Sequence, residues 1–219
     1  MKKKILSNIT LLAAASSTDV DKTQLALKIS SKNIKFGAIK LLTPSFPATK
    51  FSEIEYVPIS PMSLLSYNRM MIEDLYNYFK TPYCLIVQAD GFVINANLWN
   101  EQFLKFDYIG APWPNKIRIN PGNRYLYLNK NRVGNGGFSL RSRKLAEVTS
   151  KINFNTLKFP IKSEDIIICH YLYEDMINNG IRFAPPKLAA QFSIESVDDN
   201  FERNINSVFG FHGKHLISY

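Results

Sequence analysis

The first ninety residues alternate between stretches that suit a strand and stretches that suit a helix, at a spacing that few architectures accommodate. Residues 9–16 read as a first strand. Residues 20–31 read as a helix opened by Thr18 or Asp19 as N-cap. Residues 35–42 and 55–59 read as short strands separated by a proline-containing loop. Residues 63–80 form the clearest helix, with Leu64, Met71, Ile72, Leu75 and Phe79 at helical spacing and Pro61 just ahead. Residues 84–87 (Cys-Leu-Ile-Val) are apolar on both faces, the mark of a central parallel strand. Strands joined by crossover helices predict a right-handed parallel sheet. The expected fold is therefore α/β, a Rossmann-like domain with a mostly parallel central sheet flanked by helices.

At 219 residues and 46% apolar content, the chain is expected to be one domain over residues 1–219 with a substantial core. Its net charge of +9 attracts phosphate-bearing ligands, nucleic acid or anionic membranes without choosing among them. No five basic residues are consecutive, so a polyanion-binding tail is not expected. Cys84 and Cys169 lie in apolar runs and read as buried free thiols, consistent with a reducing compartment. Lys2 to Lys4 and the apolar stretch after them have signal-peptide character, but cleavage near Ala15 would remove strand residues, so the stretch is read as structural. No other run reaches the roughly 18 apolar residues of a membrane span. The expected location is cytoplasmic, with the basic surface allowing peripheral membrane association.

The central strand ends in Gln88-Ala89-Asp90-Gly91, a carboxylate followed by a glycine that frees the backbone to turn. An Asp at the C-terminal tip of a sheet strand sits where open α/β sheets bind ligands, although turn preference alone also places Asp before Gly. Residues 115–132, polar and containing Pro121-Gly122, read as a mobile loop beside the site. Gly134-Asn135-Gly136-Gly137 matches neither the Walker nor the dinucleotide-binding spacing; its glycines read as allowing close approach to the backbone. Residues 142–151 read as a helix, and residues 164–178 as a longer one ending near Gly180. At the start of that longer helix, Ser163 reads as N-cap and Glu164 and Asp165 as first-turn acids or a general base.

Five blocks in order resemble the DUF5672 family of glycosyltransferase-like proteins: Gln88-Ala89-Asp90-Gly91-Phe92-Val93, Tyr108-Ile109-Gly110-Ala111-Pro112-Trp113, Gly134-Asn135-Gly136-Gly137-Phe138-Ser139-Leu140-Arg141, Ser163-Glu164-Asp165 and Phe209-Gly210-Phe211-His212-Gly213. That family is in turn similar to GT-A glycosyltransferases. The resemblance implies transfer of a sugar from a nucleotide-sugar, with a UDP-sugar favoured, to a glycan or lipid-linked saccharide. It implies Mn²⁺ or Mg²⁺ held at Asp90, with His212 as a second ligand. Gln88 stands where these enzymes carry the first Asp of Asp-x-Asp, and offers an amide oxygen instead. Asp165, ahead of Glu164, becomes the acceptor base of an inverting transfer. Asn68 and Arg69 are implied to touch the nucleotide, and Trp113, Asn135, Gly136 and Gly137 the acceptor, with Trp113 reading equally as a core aromatic. His170, inside an apolar helix, reads as a partly buried hydrogen-bonded side chain, and His215 as a surface one. Two other readings stay open: an inactive sugar- or nucleotide-binding relative, and a basic nucleic-acid-binding module for which no motif speaks.

Overall fold

The computed structural model describes residues 3–119, 124–196 and 199–216. The chain begins with β1 (Lys4–Ala14), α1 (Val20–Ser31), β2 (Ile34–Thr43), β3 (Glu55–Pro58), α2 (Leu64–Glu73), α3 (Leu75–Tyr78) and β4 (Tyr83–Ile86). It continues through β5 (Tyr108–Ile109), β6 (Lys116–Ile119), β7 (Arg124–Tyr127), β8 (Ser139–Ser142), α4 (Arg143–Thr149), α5 (Glu164–Ile166) and α6 (Tyr173–Asn178). After α7 (Pro186–Phe192), short strands β9 (Ser193–Ile194) and β10 (Gly210–Phe211) complete the framework.

The central sheet has the order β3-β2-β1-β4-β8-β5. Its first four strands are parallel, and β8 runs antiparallel to both β4 and β5. Successive side chains of the inner strands enter opposite layers, as a strand's period of two requires. Leu11 and Leu85 join Leu27 of α1 and Phe192 of α7 on one face. Leu12, Cys84 and Ile86 meet Met71, Leu75, Phe79 and Ala146 on the other. Both faces are covered, which explains why β4 is apolar throughout. Cys84 and Cys169 are free and buried, as expected.

Several local expectations change. The first strand starts at Lys4 rather than Ile9, because Lys4–Leu6 also pair with β2, beyond a register shift that absorbs Ser7 and Asn8. The helix expected over 63–80 is two, broken at Asp74, which has φ −112° and ψ −11°. Leu64, counted in its apolar stripe, is exposed at the first turn. Ser63 and Ser142 cap α2 and α4 by accepting from Ser66 N and Leu145 N. The stretch 115–132 is not simply a loop: β6 and β7 form an antiparallel hairpin in which Ile117 opposes Leu126. The period-two alternation in each strand outweighs their polarity. The connecting Pro121-Gly122 lies outside the described residues. The long helix expected over 164–178 is interrupted by a π-helical segment at Ile167–Tyr171, where Leu172 N reaches back to Ile167 O at 2.8 Å. Such bulges concentrate at functional sites.

Leu85, fully buried in β4, anchors the larger core cluster. Leu85→Ala is expected to lower unfolding free energy by about 2–5 kcal/mol in urea denaturation; a loss below about 1 kcal/mol would contradict its central position.

Candidate functional site

At the tip of β4, Gln88 and Gly91 exchange backbone hydrogen bonds of 2.9 and 3.1 Å, closing a tight turn that turns Asp90 outward. A Cβ on Gly91 would lie 2.9 Å from the His212 ring and 3.0 Å from Phe211 O, so the turn leaves no room for a side chain. The chain returns to this point from far away in sequence. Parallel pairing of β10 with β9 aligns the last block, His212 N donates to Ile194 O, and Gly213 N donates to Asp90 O at 2.8 Å. Gly213 has φ +127°, a conformation that L side chains rarely adopt.

His212 then bridges three polar side chains. Its Nε2 lies 3.2 Å from Gln88 Oε1 and 3.6 Å from Asp90 Oδ1, and its Nδ1 lies 3.2 Å from Glu195 Oε1. Burial opposes a charge on the imidazole, but the carboxylates of Asp90 and Glu195 outweigh it and raise the pKa to about 10. Asp90 is lowered in return, first by its bond to His212. Trp113 Nε1–H donates to the other oxygen of Glu195 at 3.1 Å, and Gln88 Nε2 donates to the Tyr67 hydroxyl at 2.8 Å.

Gln88 Oε1 and Asp90 Oδ1 both lie near His212 Nε2, at separations from it that suit ligands of a divalent ion. Ligands about 2.1 Å from an octahedral ion stand roughly 3 Å apart, close to the 3.2 and 3.6 Å seen here. The amide oxygen is part of this set: among the described residues, no group of three or more His, Cys, Asp or Glu side chains could hold a metal ion by itself.

Asp165 lines the same cavity as Glu195. Gly136 N donates to its Oδ2 at 3.0 Å and Ile166 N to its Oδ1 at 2.8 Å. Beneath it, Glu164 is 3% exposed and accepts from Arg141 Nη2 at 2.8 Å, with Arg141 only 1% exposed. A Cβ on Gly136 would fall 1.8 Å from Glu164 Oε1, so the glycine is required by this pair. Burial, then the negative charges of Glu164 and Glu195, raise the Asp165 pKa to about 7. Ser163 makes no capping bond with its side chain. Asn68 of α2 accepts from Glu164 N instead.

Two cavities flank this cluster. One of about 340 Å³ lies at the C-terminal ends of β1 and β4 and is lined by Ala15, Ser16, Asp19, Tyr67, Gln88, Asp90 and Lys214, among others. The other, about 770 Å³, is bounded by the β6–β7 hairpin, Trp113, Asp165 and Glu195. The structure thus brings together Gln88, Asp90, His212, Asp165 and Glu164. Asn68 is buried at the start of α5, and Arg69 points away to Glu73 on its own helix. Trp113 is 4% exposed, its ring lying where a Gly134 Cβ would sit. Asn135, Gly136 and Gly137 are buried; a Cβ on Gly137 would lie 2.2 Å from His212 Nε2. The close approach these glycines permit is therefore to protein groups. Asn135 sits at φ +69°, its Oδ1 accepting from Gly137 N. His170 lies in the π segment against Tyr171 and is partly buried, as expected, while its Nδ1 has no hydrogen-bond partner. His215 is exposed, as expected.

Sequence reasoning missed Glu195, Arg141 and Tyr67. Arg141 lies in β8 (Ser-Leu-Arg-Ser), which is buried along its whole length, and a charge buried there must be paired inside the protein. Nothing local marked Glu195, which matters only because the C-terminal segment folds back beside it.

Residues 52–212, nearly three quarters of the chain, match the family described as protein of unknown function (DUF5672). No curated protein matches the sequence. Among solved structures, the chain is similar to the glycosyltransferase GlyE of Streptococcus pneumoniae TIGR4, at 12% identity and TM-score 0.55, covering all of this chain and 55% of GlyE. It is similar to the galactosyltransferase LgtC at 12% identity and TM-score 0.51, covering 93% and 86% of the two chains. A bifunctional IspDF from Campylobacter jejuni aligns over 83% of this chain and 49% of its own, at 14% identity and TM-score 0.50. This chain therefore spans about half the length of two of these proteins. The likeness establishes the GT-A type of fold.

The Asp165 carboxyl, followed by carbon-detected NMR, is expected to titrate near pH 7 rather than near 4, and Glu195→Gln is expected to lower that midpoint. Because the folded-state pKa is raised, the native protein binds the proton more tightly than the unfolded chain. Its contribution to stability therefore falls as pH rises from about 4 to about 7. A midpoint near 4 in the folded protein would contradict this placement.

Proposed function

The chain belongs to the DUF5672 family, and from that premise we propose that it is a glycosyltransferase transferring a sugar from a nucleotide-sugar, a UDP-sugar first among candidates, to a saccharide acceptor. The observation that carries the reading is His212, which ties Gln88 and Asp90 of one cavity to Glu195 of the other. The smaller cavity, at the strand tips with Lys22 and Lys214 on its rim, suits a donor diphosphate. The larger cavity suits the acceptor.

Asp90, His212 and the amide oxygen of Gln88 would hold Mn²⁺ or Mg²⁺, which neutralises charge developing on the departing diphosphate. Coordination by His212 would require its neutral imidazole. Asp165 accepts the proton of the attacking acceptor hydroxyl. A raised pKa makes it a stronger base than an ordinary carboxylate, and its two backbone donors fix its orientation. Direct attack by that hydroxyl on the anomeric carbon inverts its configuration. Glu164, paired with Arg141 and enclosed, holds α5 in place, and burial together with the charges of Glu164 and Glu195 keeps Asp165 partly protonated.

A second reading, a binding protein without turnover, rests on Gln88 in place of an acid. Incubation with a panel of nucleotide-sugars and saccharides, with Mn²⁺ or with EDTA, separates the two: transfer abolished by EDTA supports the enzyme, and donor binding without transfer or hydrolysis supports the binding protein.

Asp90→Asn is expected to remove most of the metal-dependent turnover while thermal unfolding stays near the parent value, since the side chain is partly exposed beyond the strand tip. Undiminished activity would overturn its role as ligand. Asp165→Asn is expected to lower kcat by roughly 10²–10⁴ with donor affinity unchanged. Lost donor affinity at unchanged kcat would make Asp165 a binding residue instead.

A further inference from the structure

Gln88 stands where the likeness to GT-A enzymes implies an acid, and an amide brings a requirement that a carboxylate does not. The two oxygens of a carboxylate are equivalent, whereas an amide has an acceptor at one end and an N–H donor at the other. Turned end for end, Gln88 would present hydrogens to a cation in place of a lone pair. Its two ends have different partners. Oε1 lies 3.2 Å from His212 Nε2, and Nε2 donates to the Tyr67 hydroxyl at 2.8 Å.

Tyr67 is itself firmly held. Its N–H donates to Ser63 O at 2.9 Å in the first turn of α2, which the Ser63 side chain caps through Ser66 N. The next residue, Asn68, is buried; its Oδ1 accepts from Glu164 N at 3.0 Å and its Nδ2 donates to Leu64 O at 2.8 Å. This turn is thus tied both to its own cap and to the start of α5. The Tyr67 ring packs against the core cluster that contains Met71 and Ile86, and the residue lines the 340 Å³ cavity together with Gln88 and Asp90.

We infer that Tyr67 is a positioning residue for the divalent ion: by accepting the Gln88 N–H it keeps the amide oxygen turned to the His212 side, where that oxygen serves as a ligand. The inference rests on the reading of Gln88, Asp90 and His212 as ion ligands, and adds a residue that does not touch the ion. His212 cannot orient the amide while it coordinates, because a ring nitrogen bonded to an ion has no proton to donate to Oε1. The Tyr67 hydroxyl then remains as the partner that tells the two ends of the amide apart.

The test is Mn²⁺ binding without donor or acceptor, followed by the loss of the aqua-ion signal in electron paramagnetic resonance, so it does not depend on turnover. The parent chain is compared with Asp90→Asn, Tyr67→Phe, Gln88→Glu and the pair Tyr67→Phe/Gln88→Glu. Tyr67→Phe keeps the ring and is expected to weaken Mn²⁺ binding about tenfold or more, with thermal unfolding near the parent value. Gln88→Glu is isosteric and has no wrong orientation, so Tyr67→Phe in that background is expected to weaken binding by less than about twofold. Equal weakening in both backgrounds would mean that Tyr67 acts through packing, and overturns the proposal. Parent affinity in Tyr67→Phe overturns it too, and leaves the ion site standing if Asp90→Asn abolishes binding. A parent chain that binds no Mn²⁺, or binds it as well after Asp90→Asn, defeats the reading of the ion site and this inference with it.

Discussion

The buried ion pair between Arg141 and Glu164 is the constraint around which the site is arranged. Two charges at 1% and 3% exposure are costly to desolvate, and removal of either partner typically costs about 3–5 kcal/mol. The pair joins the antiparallel strand β8 to the start of α5. It does so through a gap that only a glycine at position 136 leaves open. The same joint sets Asp165, whose carboxylate takes the Gly136 N–H and the first N–H of the turn that follows. Burial at this joint, and then the neighbouring negative charge of Glu164, make Asp165 reluctant to ionise. Structure and acid–base character therefore share one cause.

The second joint is His212. A parallel strand pair, two residues long in each partner, brings the end of the chain against the tip of β4, and three polar groups then hold the imidazole. The aromatic cluster of Trp99, Phe103, Phe138, Phe192 and Phe209 supports this return, with ring centroids 5.1 to 5.4 Å apart at its closest contacts. A Cβ on Gly210 would lie 2.1 Å from the Phe138 ring. The glycines of the quoted blocks thus serve the packing of this junction. Gln88 and Asp90 on its polar edge line the smaller cavity, and Glu195 the larger.

Sequence alone determined the α/β class, the parallel inner strands, the covering helices and the placement of Asp90 at a strand tip. Those properties follow from short-range rules: a strand buried on both faces must be apolar throughout, and a parallel connection needs a crossover. The order of the motifs also made the family resemblance legible. Tertiary structure decided what lay beyond a local window. It made Asn68, rather than Ser163, the group that accepts the first N–H of α5. It turned the polar stretch at 115–132 into a hairpin, because one side of each strand found a core to cover. It introduced Glu195 as the third partner of His212, a role that exists only when residues remote in sequence converge. Charge, burial and hydrogen bonding of a site are properties of such convergence, and a one-dimensional pattern carries the residues without the distances between them.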